Sequence, residues 1–276
     1  MGAAITTASG VATDAGRRRA LNEDAALASW PCFLVADGMG GHDAGDVAAA
    51  TALAAFQRFA SREWVSVDDA RGAVDAARSC LASFSRAQKA GAGTTLSGVI
   101  VTEVDGAGYW LALNVGDSRT YRLQAETLTQ LTVDHSLVQE LIDAGALSEE
   151  AARADRRRNV VTRALGAGGA GETDVWMLPA ARGDRILVCT DGLTEELTAE
   201  RIATVLNAEP DPRAAAARLV REAVQQGGRD NITVVVVDAL DVARGGLPDD
   251  VDADTVDRGA WEHATAPRTG IAGSSS

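Results

Sequence analysis

The sequence predicts an α+β fold in which stacked antiparallel β-sheets carry helices on their outer faces. Two observations lead there. Short β-rich runs bounded by Gly, Asp and Asn follow one another through the middle of the chain, as hairpin-connected strands do. Alanine-rich segments with apolar residues at helical spacing lie around them. Successive strands followed by helices argue against a repeating βαβ barrel, and no internal repeat is visible.

Strands are expected at residues 32–36, 96–104, 109–115, 120–123, 185–189 and 232–237. The dipeptides Asp105-Gly106 and Asp117-Ser118 are expected to be hairpin connections. Helices are expected at 45–60, 68–89, 136–144, 199–207 and 212–226. Residues 1–240 read as one domain. From 241 to 276 the chain is rich in Asp, Gly, Pro and Ser and poor in large apolar residues. It cannot bury enough surface there to offset the entropy of ordering, so a flexible acidic C-terminal tail is expected.

The chain has 276 residues, 46% of them hydrophobic, which suffices for a sizeable core. Its formal net charge of -13 excludes partners that need a basic face, namely nucleic acid and anionic membrane. A local cationic site for phosphoproteins remains compatible with that charge. The three cysteines, Cys32, Cys80 and Cys189, form no CxxC pair, so neither a disulfide frame nor a zinc site is expected. Cys32 and Cys189 sit in apolar runs and read as buried free thiols of a reducing compartment. The first ten residues lack the charged start and apolar run of a signal peptide. No apolar segment approaches the ~18 residues of a membrane helix. A cytoplasmic location is the expectation.

The chemistry is carried by short acidic motifs at the mouths of apolar strands: RALNED (Arg19 to Asp24), VADGMGGH (Val35 to His42), NVGDSR (Asn114 to Arg119), CTDGLTEE (Cys189 to Glu196) and GRDNITVVVV (Gly228 to Val237). Each puts an acid where a rigid strand emerges beside Gly or Asn, which suits a metal site. Alone, an Asp-Gly pair after a strand is an ordinary turn. The glycine run at 38–41 has neither the lysine of a phosphate-binding loop nor dinucleotide spacing.

In order and together, these motifs resemble the metal-dependent protein phosphatases (PPM, type 2C), and their glycines resemble the bacterial Ser/Thr branch. The resemblance runs from about Arg19 to Val237. It implies a four-layer αββα sandwich of two antiparallel sheets flanked by helices. It also implies two core Mn²⁺ or Mg²⁺ ions and a third, weaker one. By that resemblance Asp37 bridges the core ions and the Gly38 carbonyl is a further ligand. Asp191 and Asp230 hold the first ion, Glu23 holds the second through water with Asp24 supporting it, and Asp117 holds the third. Arg19 grips the substrate phosphate and His42 is the general acid. Substrates would be phosphorylated Ser/Thr proteins, opposing a cognate Ser/Thr kinase, with the enzyme a monomer. The loop pattern also looks like the phosphatases that accompany type VI secretion systems.

The residue chemistry agrees. An all-oxygen ligand set suits Mg²⁺ or Mn²⁺ and disfavours zinc. Gathered carboxylates repel one another unless cations or protons neutralise them. Where the family often has Asp, this chain has Glu195, one methylene longer. His135 reads as structural, Asn231 as a brace for its loop, and Arg156 to Arg158 as a solvated face or a steering patch for phosphopeptides. Three alternatives remain at this stage: a catalytically silent PPM-like module that binds phosphoproteins, a non-enzymatic acidic metal-binding domain, and the same enzyme acting on a phosphorylated anti-sigma-factor antagonist. The first would be signalled by loss of a core Asp; the second leaves Arg19 and His42 unexplained.

Overall fold

A computed structural model describes residues 3–40, 44–88, 91–166 and 172–245. It opens with β1 (Ile5–Asp14), β2 (Asp24–Ser29) and β3 (Cys32–Gly40), followed by helices α1 (Gly45–Gln57) and α2 (Val67–Gln88). A strand-rich stretch comes next: β4 (Ala92–Thr94), β5 (Leu96–Val104), β6 (Ala107–Val115), β7 (Arg119–Gln124) and β8 (Thr127–Gln130). Two short helices, α3 (Leu137–Asp143) and α4 (Glu149–Ala154), precede β9 (Asp174–Pro179) and β10 (Arg185–Cys189). The chain then runs through α5 (Asp191–Thr194), α6 (Ala199–Ala208) and α7 (Pro212–Gln226) into β11 (Ile232–Val242).

The strands form two antiparallel sheets, ordered β1-β11-β10-β7-β8 and β2-β3-β5-β6-β9, with β4 added against β3. Three apolar cores separate four layers. Along β11, Val234 and Val236 face α6 and α7, while Val235 and Val237 face the other sheet. Along β3, Leu34 and Ala36 face α1 and α2, while Phe33 and Val35 face inward. The period of two thus explains the unbroken apolar runs 234–237 and 32–36 in these strands: both faces are covered there. On α1 the buried residues Ala48, Ala49, Ala52, Leu53 and Phe56 form one helical stripe. The α7 N-terminus is capped by Asp211, whose side chain accepts from the Arg213 amide, with Pro212 in the first turn.

All six expected strands are present, and most run further than their apolar cores. β11 continues to Val242, two residues beyond the expected domain boundary at 240. Five strands were not expected. β1 and β9 are sheet edges of mixed exposure, and β2 is alanine-rich and half-buried. The Asp105-Gly106 hairpin is as expected: Val104 pairs with Ala107, and φ of 51° and 81° at the two turn residues are those of a tight I′ connection.

The Asp117-Ser118 hairpin is overturned. β6 pairs with β5 and β9, whereas β7 pairs with β10 and β8, so this segment crosses from one sheet to the other. The physical reason lies at Gly116. Its φ of 107° bends the chain out of the sheet. Its N–H donates to His135 Nδ1 at 3.1 Å and its carbonyl accepts from the His135 amide at 2.8 Å, leaving neither group for strand pairing. No helix among the described residues is long and apolar enough to cross a membrane.

Candidate metal centre

The acidic motifs meet at one end of the sandwich, and both sheets contribute. Asp24 opens β2, and Asp37 lies near the end of β3; the two are direct cross-strand partners. From the other sheet, Asp191 opens α5 immediately after β10, and Asp230 precedes β11. Asp117 lies in the crossing segment between the sheets.

These acids feel one another. Burial, with the charges of Asp24, Asp191, Asp117 and Asp230, holds the Asp37 carboxyl well above the usual carboxylate range. Burial, Asp117, Glu195, Asp230 and Asp24 do the same to Asp191. Burial lifts Asp24 to about 7 against hydrogen bonds that favour its charge, including one donated by Thr190 Oγ1 at 2.8 Å. Asp117 is lifted to about 6 by burial and by Asp134. Among the described residues, buried oxygens without any hydrogen-bond partner include Asp24 Oδ1 and Asp191 Oδ1. A buried carboxylate oxygen with no donor costs free energy unless a cation meets it.

Several bonds hold the centre in shape. The Asp37 amide donates to Thr95 Oγ1 at 2.9 Å, and the Asp37 carbonyl accepts from Thr94 Oγ1 at 2.9 Å and from the Thr95 amide at 2.9 Å. Thr95 Oγ1 is also 2.7 Å from Ser118 Oγ, beside Asp117. Arg119 grips Asp134 with both Nε and Nη2. Asn231 braces the opposite rim: its Oδ1 accepts from the Glu23 amide at 2.9 Å, and its Nδ2 donates to the carbonyls of Ala15 and Leu21. His135 accepts from Gly116 on Nδ1, so its proton is on Nε2, which donates to Asp174 at 3.1 Å. His135 therefore positions the Asp117 turn and stays outside the cluster. Glu23 and Gly38 share a crowded corner. A Cβ on Gly38 would lie 2.0 Å from the Gly45 carbonyl oxygen, and a Cβ on Gly45 would lie 2.4 Å from Glu23 Oε1. Only glycine fits at positions 38 and 45 beside Glu23.

Arg19 sits on the rim, its Nη2 2.7 Å from Asp230 Oδ2, with 52% of its side chain exposed. His42 lies outside the described residues. Thr94, Thr95, Thr190 and the Arg119–Asp134 pair went unremarked in the sequence. The signal that could have flagged the first two is a Thr-Thr pair entering an apolar strand after glycine.

The residues present fit hard divalent cations. The donors are carboxylates and a carbonyl, with no sulfur or imidazole among them. Among the described residues no three His, Cys, Asp or Glu side chains close into a cage by themselves. It is the all-oxygen donor set that suits Mg²⁺ or Mn²⁺, which keep several waters and take one or two carboxylates each, better than structural zinc. Cys32 and Cys189 are buried, with thiols pushed up to about 12, and supply no nucleophile.

The sequence pattern of the Protein phosphatase 2C family matches residues 13–228. The chain belongs to the protein phosphatase 2C family. It is 38% identical over 236 residues to the serine/threonine protein phosphatase PstP of Mycobacterium tuberculosis, covering 83% of this chain but 44% of that protein. The chain thus spans less than half the length of that relative. It is 36% identical over 243 residues to the serine/threonine phosphatase stp of Listeria monocytogenes, covering 82% of this chain and 93% of that one. The crystal structure of PstP superposes with a TM-score of 0.79 at 35% identity, covering 84% of this chain and 98% of that one. The PstP catalytic domain in complex with two manganese ions gives a TM-score of 0.77 at 34% identity, covering 85% and 99%. PppA, described as a key regulatory component of T6SS in Pseudomonas aeruginosa, gives 0.72 at 30% identity, covering 85% and 99%. The two-sheet αββα sandwich is thus shared with these phosphatase structures.

Proposed function

We propose that this chain hydrolyses phosphoserine and phosphothreonine in proteins and opposes a bacterial Ser/Thr kinase in the cytoplasm, acting as a monomer. The observation that carries this is the buried carboxylate cluster, with unpartnered oxygens on Asp24 and Asp191, beside an arginine free to leave Asp230. A silent phosphoprotein-binding module would not need Asp37, Asp191 and Asp230 together, and all three stand in the cluster.

In this reading Asp37, the Gly38 carbonyl, Asp191, Asp230 and Glu23 would hold the two core ions, Asp191 and Asp230 the first and Glu23 the second, with Asp24 behind it. When bound, two Mn²⁺ or Mg²⁺ ions supply an acidified water and offset the phosphate charge. Thr94 and Thr95 clamp the Asp37 backbone, so that carboxylate holds its place as substrate arrives. Arg19 exchanges Asp230 for two phosphate oxygens, which its planar guanidinium matches. His42 protonates the departing serine or threonine oxygen. A third, weaker ion would take Asp117 and Asp191. Association with type VI secretion is a narrower form of the proposal, supported by the likeness to PppA. A gene neighbourhood without a kinase or secretion components would count against it.

The test is phosphate release from a phosphothreonine peptide by wild type and Asp191→Ala, with Mn²⁺ and with chelator. Activity only in the Mn²⁺-supplied wild type is expected, with a loss on the order of 10²- to 10³-fold or more in the variant. Activity that survives chelation or the substitution would refute the mechanism.

A further inference from the structure

Between His135 and Thr162 the chain makes an excursion beside the acidic centre and returns. Its neck is closed by backbone bonds: the Leu137 amide donates to the Val160 carbonyl at 2.9 Å and the Thr162 amide to the His135 carbonyl at 2.8 Å. Beyond the neck, apolar anchoring is thin. α3 has no buried residue, and residues 156–160 are exposed. A segment with so little buried apolar surface opens at low free-energy cost, so a single polar tie can decide its position.

Such a tie is present. Asn159 Nδ2 donates to Glu195 Oε1 at 2.6 Å, and Arg158 Nη2 lies 3.7 Å from the same oxygen. The Glu195 side chain is 11% exposed, so its charge is poorly screened. Its backbone is fixed: the amide donates to the Asp191 carbonyl at 2.9 Å, and the carbonyl accepts from Arg229 Nη2 at 3.2 Å. Arg229 also forms an ion pair with Glu196. Glu195 therefore connects the helix that presents Asp191 to the return limb of the excursion. The arm length matters. An aspartate here would fall short by about one C–C bond, roughly 1.5 Å, too far for a hydrogen bond to Asn159.

We propose that Glu195 is a positioning residue that latches the 137–160 excursion to the α5 helix through Asn159, and so places the Arg156–Arg158 run beside the acidic centre to receive the flanks of a phosphorylated protein segment. The latch itself is independent of the phosphatase reading; its effect on substrate rests on that reading.

The experiment uses the full chain supplied with Mn²⁺ and the variants Glu195→Ala, Glu195→Asp, Glu195→Gln and Asn159→Ala. Native-state trypsin cleavage after Arg156, Arg157 and Arg158 is followed by mass spectrometry. Losing one charge-assisted bond raises the open population about five- to tenfold. That rise in cleavage is expected for the Ala and Asp variants at position 195 and for Asn159→Ala. Glu195→Gln keeps the acceptor and should stay within about twofold of wild type. In parallel, kcat/KM for a phosphothreonine peptide should fall in Asn159→Ala, while that for p-nitrophenyl phosphate, which has no flanks, should hold. Wild-type cleavage rates in Asn159→Ala and Glu195→Asp would overturn the latch. So would cleavage that rises equally at all sites, or an equal loss on both substrates in Asn159→Ala. If wild type hydrolyses neither substrate, the phosphatase reading fails, and the cleavage pattern still decides the latch.

Discussion

Removing divalent metal and raising the pH from 5 to 8 should destabilise this protein, the opposite of what salt-bridged carboxylates do. Asp24 shows the size of the effect. Its carboxyl is raised from 3.8 to about 7, chiefly by burial, a rise of about 3 in pKa, worth roughly 4 kcal/mol. The sign follows from proton counting. Between the two pKa values the folded carboxyl keeps its proton while the unfolded one has lost it, so stability falls as pH rises. The contribution is complete below about pH 4 and gone above about pH 7. Asp37, Asp117 and Asp191 are raised too, but the four titrate as a coupled set, and their contributions are shared rather than summed. For a domain of this size 1 kcal/mol moves the melting temperature by about 2–4 °C. About two thirds of the Asp24 contribution, roughly 3 kcal/mol, is lost between pH 5 and 7, so chelated protein should melt about 5–10 °C lower at pH 8 than at pH 5. Mn²⁺ favours the ionised carboxylates, so its stabilisation should grow over the same interval. The assay is thermal unfolding in chelator and in Mn²⁺ across pH 5 to 8, for wild type and Asp24→Asn. A melting temperature that is flat or rises with pH in chelator refutes the reasoning, as does an unchanged slope in Asp24→Asn.

Two further substitutions test the scaffold. Gly38→Ala drives a Cβ to 2.0 Å from the Gly45 carbonyl oxygen; a loss of at least ~3 kcal/mol in chemical denaturation is expected, with metal affinity measured by calorimetry falling as well. Thr95→Val removes the hydroxyl that accepts from Asp37 and meets Ser118. It should cost about 1–3 kcal/mol and weaken Mn²⁺ binding, while the far-UV circular dichroism stays that of the wild type.

What could be read from the sequence followed from burial on both faces. β10 and the start of β11 are apolar at nearly every position because helices cover one face and the second sheet the other. β1 and β9 lack that signature because an edge strand is held by its neighbour's backbone more than by its own side chains. The acids were legible because each interrupts an apolar run where the strand leaves the core. Their supports were not. Thr95 reaching Ser118, Arg119 reaching Asp134 and Asn159 reaching Glu195 are pairings across the fold, and nothing local in the chain marks them. The error at Asp117-Ser118 has the same origin. A turn dipeptide between two strands says that the chain reverses, and the choice of sheet was made by His135, almost twenty residues away.

Because Asp24 and Asp37 belong to one sheet and Asp191 and Asp230 to the other, the centre acts as a caliper across the sandwich. Mg²⁺ tolerates little error in its oxygen distances, so on the proposed function ion affinity would follow the spacing between the two sheets. That spacing is set by Phe33, Trp110, Ile186 and Val235 in the inter-sheet core. Trimming any of them would let the jaws drift by tenths of an ångström. Such a variant would lose its ions with every ligand intact, and its defect would be mistaken for one in the active site.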